Sequence, residues 1–192
     1  VATTSRSTKR ADAARNIERA LDAAITCLSQ RPNATMAEIA KEAGIGRVTL
    51  YAHFASRAEL LEAVVTRVIE AGERTLSGID LDGDPRGALT RLITGSWQLV
   101  DQARSIIAAA EGEIPPERMR ALHGSPAARV EALIARGRQE GSIRADMPAT
   151  WQVAVLHQIL HGAGAEVAAG RLEPNEAPGL IITTVNAILD PH

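Results

Sequence analysis

Apolar residues recur along this chain at helical spacing nearly everywhere. Ile17, Ala20, Leu21, Ala24, Ile25 and Leu28 fall at i, i+3, i+4 and i+7, one stripe of a helix over about Asp12 to Gln30. Arg31-Pro32-Asn33 ends it, because proline cannot continue the hydrogen-bond ladder. Thr35-Met36-Ala37-Glu38 reads as a capping box opening a short helix through Ile39, Ala40 and Ala43. Gly44 closes that helix in the left-handed conformation glycine tolerates. Ile45-Gly46 makes a turn, and a third short helix spans about Arg47 to His53. Ser56 and Glu59 form a second capping box, opening a long helix with Leu60, Leu61, Val64, Val65, Val68 and Ile69 on one side.

After a Gly- and Asp-rich linker over 78–83, Asp84-Pro85 reads as a cap followed by a first-turn proline. The helix it opens runs to about Gly112, with a bend expected near 101–105, and Pro115-Pro116 breaks it. Further helices are expected around 117–122, from Ser125-Pro126 to near Gly141, from Pro148 to about Gly170, and from Pro174 to about Leu189. The pattern predicts an all-α chain of about nine helices with no convincing strand. Alanine is abundant and aromatics make up 2% of the chain, which suits helices and starves a sandwich or barrel.

Composition narrows the classes. At 192 residues and 45% hydrophobic, the chain can bury a sizeable core. No uncharged apolar run approaches the length of a membrane span, and the polar, basic start does not read as a secretory signal. With one cysteine there is neither an internal disulfide nor a CxxC metal pair, so a cytoplasmic location is expected. Net charge is −2, but residues 1–57 carry 9 Lys/Arg against 5 Asp/Glu. A basic head on an acidic body suggests that the head alone meets a polyanion.

The densest signal is Thr35 to Phe54, two short helices joined by a glycine-containing turn: a helix-turn-helix. Its second helix is too short and polar to be core. Arg47 can donate twice to a guanine edge, and Thr49 can bond a base or touch a thymine methyl, with Val48 beside them. Tyr51, His53 and Arg57 suit phosphate contacts, as does Thr35 at a helix start. The basic arm of Arg6, Lys9 and Arg10 is either a solvated tail or a further DNA contact.

At these residues the chain resembles the tetracycline-repressor-like (TetR) family of bacterial regulators, over about Arg15 to Val65. The resemblance is carried by Thr35, Ile39-Ala40, Ala43-Gly44, Leu50-Tyr51, His53-Phe54, Ser56-Arg57 and Leu60. By position it implies base reading at Arg47, Val48 and Thr49, phosphate contact at Tyr51, His53 and Arg57, and a core role for Phe54. Departures are Leu28 where phenylalanine is common, Arg31-Pro32 where glycine usually ends the first helix, Gly46 for a side-chain cap, and Ala52 for a bulkier residue.

The resemblance implies a one-component regulator, most simply a repressor, that an effector releases from a pseudo-palindromic operator. Residues 1–57 would form the DNA-binding domain and 58–192 the effector-binding and dimerisation domain, with the long helix from Ser56 as lever. The last two helices would pair with their mates in a four-helix bundle. Their apolar faces agree: Val153, Leu156 and Leu160 on one, Leu180, Ile181, Val185, Ile188 and Leu189 on the other.

Candidate effector contacts are Trp97 with Ser96 and Val100 on its helix, and Gln158 and His161 on another. Trp97 is either cavity wall or plain core, and Trp151 reads as core or subunit contact, with a pocket role as the alternative. His157 and His161 stand four apart, a spacing that can clamp a metal, but the sequence fixes no further ligand near them, so no metal and no cofactor is expected. Cys27 reads as a small buried hydrophobe. No GxSxG, HExxH, phosphate-cradling loop or dinucleotide fingerprint is present, so an enzyme is not expected. The readings from other classes are a helical interaction dimer that has lost DNA binding, or an enzyme using the body's cavity.

Overall fold

The computed structural model describes residues 2–191, with side chains over 11–124 and 127–191. The basic arm of Arg6, Lys9 and Arg10 lies outside the described side chains. Among the described residues there are nine α-helices and no strand: α1 Ala2–Gln30, α2 Met36–Glu42, α3 Arg47–His53, α4 Arg57–Leu76, α5 Pro85–Ala110, α6 Pro116–Leu122, α7 Gly124–Gln139, α8 Ala149–Ala168 and α9 Ala177–Leu189. No described helix is long and apolar enough to cross a membrane.

Two boundaries differ from the sequence pattern. α1 begins about ten residues before Asp12, because nothing upstream breaks a helix and the apolar stripe marks only the part that is packed. α9 begins at Ala177 rather than Pro174: a turn precedes it, and Pro178 is the proline in its first turn. α5 is one uninterrupted helix across the expected bend.

The chain divides into two compact units, Val1–Val68 with Ser105–Arg118, and Ile69–Arg104 with Met119–His192. In the first, Ala20, Ala24 and Leu28 of α1 share a buried core with Ile39 of α2, Leu50 of α3 and Leu60, Leu61, Val64 and Val65 of α4. Phe54 is buried there too, as is Cys27, whose thiol burial pushes above its ordinary pKa. Arg67 of α4 bonds Glu18 at 2.7 Å and Asp22 at 2.9 Å, tying α4 to α1. Arg118 does the same for α4 and α6 through Glu62, at 2.8 Å from Nε.

In the second unit, one hydrophobic cluster joins Leu89, Leu92, Ile93 and Trp97 of α5, Leu133 and Ile134 of α7, Leu156 and Leu160 of α8, and Ile181, Val185 and Leu189 of α9. Gln152 is the one polar residue fully buried with it among those described. Its amide donates to the Arg144 carbonyl at 3.1 Å, so the loop between α7 and α8 satisfies it rather than leaving it at a cost.

Candidate nucleic-acid interface

The helix-turn-helix is built by local chemistry. Thr35 caps α2, its hydroxyl accepting from the Glu38 N–H at 3.3 Å, while Glu38 accepts from the Thr35 N–H at 2.7 Å. Arg31 adds a bond to the other Glu38 oxygen at 2.9 Å. Together the Thr35 amide, the Thr35 hydroxyl and Arg31 lower the Glu38 pKa to about 2. At the other end of α2, Gly44 takes φ +61 and Ile45 N–H returns to the Ala40 carbonyl at 3.0 Å, which ends the helix and starts the turn. A Cβ on Gly44 would also stand 2.7 Å from the Arg19 guanidinium, which bonds the Gly44 carbonyl at 3.1 Å. The positive φ is what requires glycine at this corner, since the tip of the Arg19 side chain can move aside.

Gly46 then begins α3 with no side-chain cap. The following helix boundary is a variant box: Ser56 Oγ accepts from Glu59 N–H at 3.1 Å, but the Glu59 carboxylate reaches Ala55 N–H, one residue before the cap, at 2.7 Å.

Leu50 pins α3 to the core with no exposed surface, and the rest of the helix turns outward. Val48 is 85% exposed and Tyr51 45%. Arg47 is exposed, and Thr49 and His53 are half-buried. Five of the seven residues expected on DNA therefore lie on α3: Arg47, Val48, Thr49, Tyr51 and His53.

The other two have partners within the protein. Thr35 is exposed, but its hydroxyl proton goes to Glu38 at 2.8 Å. Arg57, expected on phosphate, instead bonds the carbonyls of Pro32 and Ala34, with Glu113 at 3.5 Å from its Nε. The reason is the sequence departure at the end of α1. Arg31-Pro32-Asn33 leaves carbonyls that no helix satisfies, and a long guanidinium in the first turn of α4 reaches them.

The profile of the bacterial regulatory proteins of the tetR family matches residues 20–64, the segment that forms this three-helix head. In this head the chain is similar to the tetR family. The chain is also 32% identical over 76 residues to the HTH-type transcriptional repressor LfrR of Mycolicibacterium smegmatis (strain ATCC 700084 / mc(2)155). That stretch is 40% of this chain and 40% of the relative. The fold extends further. The crystal structure of LfrR from Mycobacterium smegmatis in complex with proflavine matches with a TM-score of 0.66 and 24% identity, over 91% of this chain and 97% of that one. FadR from Bacillus subtilis, in complex with stearoyl-CoA, matches with a TM-score of 0.73 and 13% identity, over 90% and 98%.

In the body the candidate effector contacts differ in exposure. Trp97 is 3% exposed and its indole N–H donates to the Pro174 carbonyl at 3.0 Å, a satisfied core residue. Val100 packs on the same cluster and Ser96 is half-buried. Gln158 is exposed. It belongs to an exposed row on α8 with Trp151, Ala154, Gly162 and Ala165, each three or four residues from the next.

His161 does have company. His157 lies one turn before it, ring centroids 4.2 Å apart, and His123, at the corner between α6 and α7, completes a trio. His123 was not legible as a partner, because it comes from another element 34 residues earlier and no local pattern marks it.

The residues expected on the dimer faces divide: Leu180 is exposed, and Val153 and Ile188 are half-buried. Leu156, Leu160, Ile181, Val185 and Leu189 are buried in the chain's own core. The exposed large hydrophobic residues of these two helices are Trp151 at 58% on α8 and Leu180 at 53% on α9.

Proposed function

We propose that this chain is a DNA-binding repressor that works as a two-fold homodimer and is released from its operator by a small-molecule effector. The observation that carries the reading is the outward face of α3. A seven-residue helix pinned by Leu50 presents Arg47, Val48 and Tyr51 to solvent, on the head that matches the tetR family. In this reading Arg47, Val48 and Thr49 meet base edges, and Tyr51 and His53 meet phosphates. Residues 1–57 serve DNA binding and 58–192 serve effector binding and dimerisation.

The dimer forms through the outward faces of α8 and α9. Ala154, Gly162 and Ala165 keep one face low enough for a second helix to approach, and Trp151 and Leu180 supply its apolar area. Two heads related by a two-fold axis read half-sites about 34–36 Å apart, or a multiple of that distance. The names of the relatives support the rest: LfrR is called a repressor, and LfrR and FadR were crystallised with proflavine and stearoyl-CoA. An effector that prefers a conformation unfit for DNA weakens DNA binding, and DNA weakens effector binding by the same factor. The aromatic-poor body favours an aliphatic effector over a flat dye. A catalytic role has no support in the sequence motifs.

Selection of bound DNA from a random pool tests the reading. An enriched pseudo-palindrome, bound with a steep salt dependence, is the expected result. Recovery of no sequence preference would leave the fold as an interaction dimer.

A further inference from the structure

We propose that His123, His157 and His161 form a binding site for a divalent first-row transition metal, with zinc the first candidate, in the helical body of the protein. One ring nitrogen from each residue lies within 4.8 Å of the others. The three rings lie in mutual contact, none of them face to face. His123 meets His157 edge-on at 5.0 Å between centroids and His161 edge-on at 5.9 Å. The donors come from two elements, α8 and the corner before α7, so this is a convergence in space and not a run in sequence.

Two further observations point to a ligand. The His157 Nε2 atom is buried and has no hydrogen-bond partner. A buried polar nitrogen left alone is costly, and an ion at the centre of the trio would satisfy it. His123 is oriented as a ligand should be. Its Nδ1 lies 2.9 Å from the Met119 carbonyl, which can only accept, so Nδ1 carries the proton and Nε2 keeps its lone pair. The chemistry of the set agrees. Three neutral imidazoles suit zinc, nickel, copper or cobalt, and leave a fourth position for water or another ligand. Zinc–nitrogen bonds of about 2.0–2.1 Å set tetrahedral nitrogens about 3.3 Å apart. Binding therefore requires the side chains to draw in from the present spacing of up to 4.8 Å.

The three histidines belong to other elements than the DNA-reading helix α3, and the test does not depend on DNA. Untagged full-length protein is titrated with Co²⁺, followed by visible absorption, and then with competing Zn²⁺. One equivalent per chain is expected, with the band pattern of a four-coordinate ion. His157→Gln and His123→Gln should each weaken binding by more than the roughly 10- to 100-fold that loss of an outer-shell partner costs. A variant-free measurement guards against misfolding. In long-range ¹H–¹⁵N spectra of the wild type, Zn²⁺ should shift the ring nitrogens of His123, His157 and His161 and leave those of His53 in place. Absence of binding by the wild type overturns the proposal. So does binding that survives in both variants, or that leaves the three rings unshifted.

Discussion

The guanidinium of Arg57, in the first turn of α4, donates to the backbone carbonyl of Pro32 at 2.8 Å. It bonds the Ala34 carbonyl as well, with Glu113 beside its Nε. One side chain thus holds the α1–α2 loop, and with it the start of α2, against α4. Charge-assisted bonds to otherwise unsatisfied carbonyls are worth about 1.5–3 kcal/mol each at most, less where water can replace them. Arg57→Ala should therefore lower the stability of the protein by roughly 1–3 kcal/mol in urea unfolding. Arg57→Lys should recover only part of that, because an ammonium lacks the planar fork. The slope of log DNA affinity against log salt should stay the same. A slope reduced by about one would return Arg57 to the phosphate backbone.

Arg47 makes the opposite prediction. It is exposed, begins α3, and has no structural task to lose. Arg47→Ala should leave the unfolding midpoint unchanged and cost about 1–3 kcal/mol of affinity for the selected operator, with preference relaxed at one base position. Equal weakening on all sequences would make Arg47 a phosphate contact.

The contrast between these two arginines marks what could be read without the structure. Capping boxes, Gly44 and the helix-breaking prolines act within a few residues, so the helices and the helix-turn-helix follow from local pattern. Arg47 is legible for the same reason: an arginine on a short polar helix has nowhere to go but outward. Arg57 is not, because its partners lie 23 and 25 residues away and backbone carbonyls leave no mark in a sequence. The same limit hid His123 from His157. It also blurred α9, where Leu180, Ile181, Val185 and Ile188 are all apolar and periodicity alone does not say which face meets the chain's own core.

Glu38 gives the head an acid-sensitive contribution. Its folded-state pKa is about 2 against an ordinary 4.5, so the unfolded chain takes up the proton first as pH falls. The stabilisation is complete above about pH 4.5 and is lost as the pH drops toward about 2. Thermal midpoints measured across that window should fall less steeply for Glu38→Gln than for the wild type, since the amide keeps part of the box but does not titrate. Parallel curves would mean that the Thr35–Glu38 box contributes nothing that depends on charge.

The last prediction concerns α9 and separates a core residue from an interface residue on one helix. Val185 is 2% exposed and packs within the chain's own cluster, so Val185→Glu should unfold the helical body whether or not subunits pair. Leu180 is 53% exposed, with Thr183, Thr184 and Ala187 also exposed on the same helix. Leu180→Glu should therefore leave helical content and the monomer's core intact. In a dimer built on α8 and α9 it puts a carboxylate against the mate's apolar surface. Two-fold symmetry makes the change twice, and each buried, unpaired charge costs several kcal/mol. Light scattering should report a monomer at concentrations where the wild type is a dimer. Affinity for the full operator should collapse, since each head then binds its half-site alone, while weak binding to a single half-site persists. A Leu180→Glu protein that remains dimeric and binds the full operator normally would move the subunit interface off this face.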